Sequence, residues 1–124
     1  MERIERTAIR NLIHNEQYCR KVLPFIKEEY FTDRLEKVLF TEIYKFVNKY
    51  NNLPTKESLS IEINGNKSIN EDEYKQVTDI LSTLNPEPVN LEWLVETTEK
   101  FCKDRSIHNA VLNGIQIIDG KDKN

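Results

Sequence analysis

Glycine and proline are scarce here, with three Gly and four Pro in 124 residues. So few breakers, and so few runs that alternate apolar with polar residues, speak against a strand-rich fold. There are only two cysteines, Cys19 and Cys102, far apart in sequence. That excludes a disulfide scaffold and fits buried thiols in a reducing compartment. No apolar run approaches the ~20 residues of a membrane span, and MERIERTAIR lacks the apolar core of a signal peptide. Cytoplasm is the expected compartment. Charge of one sign is lacking too. A net charge of −3 gives no general attraction to nucleic acid or to an anionic membrane.

What remains is 38% hydrophobic and 31% charged, the make-up of one helical domain with a modest core of its own. Ile4, Ala8, Ile9, Leu12 and Ile13 share a helical face within residues 3–14. Asn15 breaks that pattern and caps a second helix carrying Tyr18, Val22, Leu23 and Ile26, which Pro24 ends or bends. The EEYF segment, 28–31, reads as a short turn with its aromatics folded onto the core. Asp33 and Glu36 read as a capping box. Leu35, Leu39, Ile43, Phe46 and Tyr50 then recur at helical spacing as far as NNLP.

Thr55 opens a shorter helix bearing Leu59 and Ile63, although SIEI alternates well enough to suit a strand. NGNKSIN is a polar loop. Asn70 with Glu73 forms another capping box ahead of Tyr74, Val77, Leu81 and Leu84. PEPVN, 86–90, is a stiff connector, and Asn90 caps a last, long helix with Trp93 in its first turn. The tail DGKDKN is polar and expected to fray. The expectation is an all-α chain: residues 1–89 form a helical globular head of about five helices, and residues 90–124 form a long helix and tail.

Chemical motifs are weak. GNKS, 65–68, lacks the adjacent Gly-Lys of a phosphate loop, and Ser60 stands where a second glycine belongs. The same residues spell a glycosylation sequon, which matters only in a secreted protein. His14 and Cys19, or Cys102 and His108, are not spaced to share a metal on one helix face. No nucleophile elbow accompanies any serine. EDE and VETTEK suit helix starts and a solvated face. No helix is basic over more than two turns, as a groove reader would be. No catalytic, cofactor-binding or metal-ligating residue is assigned.

The long helix raises a different question. At 100° per residue, Leu91, Leu94, Val95, Thr98, Phe101 and Cys102 cluster around about 45°, with Leu94 set at zero. Ile107, Val111, Leu112, Ile115 and Ile118 cluster around about 275°, leaving Ala110 and Ile117 outside. The apolar face therefore swings by roughly a third of a turn at KDRS, 103–106. Residues 91–119 span roughly 43 Å against a globule about 35 Å across. Fold-back at KDRS is the plainer alternative, but neither Gly nor Pro stands there. The distal half is therefore expected to be an association element, with Phe101, Ile107, Val111, Leu112, Ile115 and Ile118 as its interface. It would pair with a second copy, with chain beyond residue 124, or with both.

The stretch EEYFTDRLEKVLFTEIYKFVNKYNNLPT resembles the N-terminal domain of DnaB-type replicative DNA helicases. WLVETTEKFCKDRSIHNA resembles more specifically the T-even-type bacteriophage branch, where the helicase works with a primase. Leu12-Ile13, where bacterial members tend to have Leu-Gly, also favours the phage branch. The resemblance covers about residues 8–118. It implies a collar domain in a ring of six, paired through a long helical hairpin and docking primase and sometimes the helicase loader. Tyr30 and Phe31 would be core residues; Leu39, Ile43 and Phe46 would lie in the head; Phe101 to Ile118 would form the hairpin's first arm.

A separate RecA-like motor, using ATP and Mg, would drive 5′ to 3′ unwinding in replication. That motor is absent from this sequence, so the resemblance implies no catalysis here, in a fragment or a stand-alone collar in the host cytoplasm. Self-association as a dimer, or as a trimer of dimers in the full ring, is expected. Little direct nucleic-acid binding is expected, and no membrane. The reading from another class is a complete small helical DNA-binding or regulatory protein, marked by salt-dependent DNA binding.

Overall fold

The computed structural model describes the backbone of residues 2–122 and the side chains of residues 2–116. Six α-helices run in order: α1 Ile4–His14, α2 Glu16–Val22, α3 Arg34–Tyr50, α4 Lys56–Asn64, α5 Glu71–Thr83 and α6 Leu91–Asp122. A 3₁₀ turn, Glu28–Tyr30, lies between α2 and α3. Among the described residues there is no strand, and SIEI lies inside α4.

The helix starts follow from polar side chains that take the free amides of the first turn. Asn15 accepts from the Tyr18 amide, and Thr55 and Asn70 each form a reciprocal box, with Ser58 and Glu73. Arg34 on α3 reaches Glu73 at 2.7 Å, which together with the Asn70 amide holds that carboxyl below its ordinary range. Asn51 ends α3 in the left-handed conformation (φ 52°), which Asn tolerates and a branched side chain would not.

The core joins one face from every helix. Ala8, Ile9 and Leu12 of α1 meet Tyr18 and Val22 of α2, Leu39, Phe40 and Ile43 of α3, and Leu59, Ile63, Val77 and Leu81 beyond. Tyr30 and Phe31 are buried, and Phe31 stacks on Phe40 with ring centroids 5.1 Å apart. The expected helix runs to Tyr50, but its apolar spacing outlasts the core. Phe40 is buried, whereas Phe46 is only half-buried and Tyr50 is 52% exposed. Those two rings pack on each other at 4.7 Å, with the Lys49 ammonium over Tyr50.

The expected Asp33–Glu36 box is also half wrong. Asp33 accepts from the Leu35 and Glu36 amides, but the Glu36 side chain does not reach back. It is fully buried, with Arg3 at 2.7 Å and Arg6 at 3.0 Å on one carboxylate oxygen. A buried carboxylate needs cations more than the Asp33 amide needs a second partner, so α1 claims it.

Cys19 and Cys102 are free and buried. Burial pushes both thiols from 9.0 up to about 11 and raises the Tyr18 phenol as well. Between pH 9 and 11 the unfolded chain ionises its thiols while the folded chain holds their protons. Stability should fall over that window, by at most about 2.7 kcal/mol per thiol. Urea midpoints at pH 8 and 10.5 measure it, and Cys19→Ala with Cys102→Ala should flatten the fall.

Candidate assembly surface on the long helix

α6 begins where the Asn90 side chain accepts the Trp93 amide at 2.9 Å, with Glu92 in the first turn to suit the helix dipole. Its first half belongs to the head. Leu94, Thr98 and Cys102 recur every fourth residue and are buried, while Leu91, Val95 and Phe101 flank them half-buried. The Trp93 indole, by contrast, faces solvent.

One hydrogen-bond chain sets how this half sits. The Thr98 hydroxyl donates to the Leu94 carbonyl at 2.7 Å, so its oxygen is left to accept from the Tyr18 hydroxyl, also at 2.7 Å. A buried phenol is thereby satisfied where an all-aliphatic face would strand it. Further along, Phe101 meets Phe31 edge-on at 6.3 Å, and the Arg105 guanidinium covers the Phe101 ring. The Asn109 amide then donates to the Glu29 carbonyl at 3.0 Å. Among the described residues this is the last side-chain hydrogen bond between α6 and the head.

The face changes beyond that point. Ile107, Val111, Leu112 and Ile115 are 63%, 57%, 45% and 50% exposed. Three of them follow one another at steps of four, a ridge of the kind that packs into a neighbouring helix. From Ser106 to Ile118 the sequence holds no Asp, Glu, Lys or Arg, in a chain that is 31% charged overall. A solvated helix face ordinarily carries charge at such positions. Gly114 lies at the edge of the same face, and a Cβ there would meet nothing within 4 Å.

The six residues expected to form the interface thus divide. Phe101 packs in the head, four aliphatic side chains stand exposed beyond it, and the Ile118 side chain lies outside the described residues. The sequence reading did not single out Asn109, whose role depends on a carbonyl 80 residues away.

The rest of the surface offers little chemistry. An open cleft of about 300 Å³ between α2 and α3 includes Leu23, Val47 and Leu53 in its lining. Its charged residues, Glu16 and Arg20, are bonded to each other at 2.8 Å. Among the described residues no group of three or more His, Cys, Asp or Glu converges as a metal requires, and no helix is long and apolar enough to cross a membrane.

No protein-family model matches the chain. It is 35% identical over 107 residues to the DnaB-like replicative helicase of Enterobacteria phage T4. The match takes in 86% of this chain, and the chain spans 22% of the length of that relative. The resemblance carried by the EEYF and Trp93–Ala110 stretches thus extends across most of the sequence.

Proposed function

We propose, from this kinship with a replicative helicase, that the chain is an oligomerisation and partner-docking domain of such a helicase. The head gives it a folded body, and the distal half of α6 is the element through which copies associate. The observation that carries the reading is the uncharged helical stretch with four exposed aliphatic side chains beyond the last anchor on the head. Those four side chains are about half exposed, so covering them is worth roughly 3 to 6 kcal/mol before ordering costs. Gly114 supports the same reading. It weakens an exposed helix by about 1 kcal/mol relative to Ala, and its own chain does not approach it.

In that role the domain would hold motor domains in a ring and present the head to a primase or a loader. Unwinding and ATP hydrolysis would belong to the motor. Sedimentation velocity over a hundredfold range of concentration tests the associative step. The expected result is a mass that rises above 14.7 kDa with concentration. A single monomeric boundary throughout would overturn self-association through this chain alone.

A further inference from the structure

The 3₁₀ turn Glu28–Tyr30 packs against the middle of α6. Tyr30 and Phe31 are buried below, and Phe31 meets Phe101 edge-on. On the outer side the Glu29 carbonyl accepts from Asn109, two turns further along α6 than Phe101. The helix therefore touches this turn at two levels, one apolar and one polar. Asn109 is half-buried between exposed neighbours, His108 and Ala110. A carbonyl in so short a 3₁₀ segment has few helical partners of its own, so it is free to take an outside donor.

We infer that the 3₁₀ turn is a bracket and Asn109 its positioning residue, fixing the direction in which α6 leaves the head. Packing from Leu94 to Cys102 sets the helix axis inside the head, but by itself leaves the half beyond Phe101 free to bend away from that axis. A second contact, two turns beyond Phe101, removes that freedom because the stretch between is continuous helix. The direction matters for assembly only on the reading proposed above, that the distal stripe joins copies. The bracket itself stands without it.

The test is a distance measurement within one copy. Lys45→Cys on α3 and Gln116→Cys on α6 are both exposed sites for spin labels. Cys19 and Cys102 are buried, with thiols raised to about 11, so they should resist labelling. Labelled chain is diluted in excess unlabelled chain, and the distance distribution is read by double electron–electron resonance.

Asn109→Ala is expected to broaden that distribution about twofold, with the melting temperature little changed. Ala is the better helix former, so a role confined to helix stability would narrow the distribution. Asn113→Ala, one turn on and exposed, should leave it unchanged. An unchanged or narrower distribution in Asn109→Ala would overturn the bracket, and so would equal broadening in Asn113→Ala. Neither outcome depends on whether the chain self-associates. Loss of association with the bracket intact would instead count against the proposed function.

Discussion

Replacing Val111 and Ile115 together by aspartate is expected to weaken self-association a hundredfold or more. Each of these side chains is about half exposed and contributes roughly 0.7 to 1.5 kcal/mol on full covering, and each factor of ten in affinity is 1.4 kcal/mol. Two such losses per copy, four in a pair, reach that range before the cost of placing carboxylates against an apolar neighbour is counted. Both residues are at least half open to water in the single chain, so the head loses little packing. Helical content should stay nearly constant, because aspartate costs only a few tenths of a kcal/mol per site. Sedimentation velocity and circular dichroism on the same samples separate the two effects. Unaltered assembly of the double variant would remove the stripe from the interface.

The second large effect lies inside the head. Phe31→Ala should destabilise the fold by about 3 to 5 kcal/mol, a large part of the 5 to 15 that a domain of this size commonly has. The ring is 1% exposed and fills the space between Phe40 at 5.1 Å and Phe101 at 6.3 Å. Its loss opens a cavity where the 3₁₀ turn, α3 and α6 meet. Phe46→Ala is the matched control. That ring is half-buried, lies outside the core cluster and packs on exposed Tyr50, so its removal should cost less, under about 1.5 kcal/mol. Urea midpoints compare the pair, and equal losses would contradict this account of the core.

That contrast also shows where a single sequence can be read. The Asn70–Glu73 box and the Thr55 start were legible because both partners lie within one helical turn. The helix around Leu39 and Ile43 was legible from its spacing. Its end at Tyr50 was legible too, but the exposure of its last turns was not, because spacing tells which residues share a face but not how far the neighbours extend along it. Phe46 and Tyr50 continue the stripe past the point where the core ends. Glu36 was assigned to its local amide because the competing cations, Arg3 and Arg6, sit at the start of another helix. The exposed stripe was visible as a shift of apolar phase near KDRS, and no later helix is needed to see it. Asn109 was invisible, since an asparagine on a helix face carries no sign of the distant carbonyl it meets.

The buried Tyr18–Thr98 bond has a consequence far from where it lies. An α-helix behaves as a keyed shaft, so whatever fixes its azimuth at one level fixes it at every level. Thr98 points into the head, and Val111, thirteen residues on, is turned by about 220° from it. Ile107 and Val111 therefore look away from the side that the head occupies, and a neighbour can lie along that edge. Adding one residue between these two levels would swing that edge by about 100° and aim it elsewhere, although every side chain on it would be unchanged.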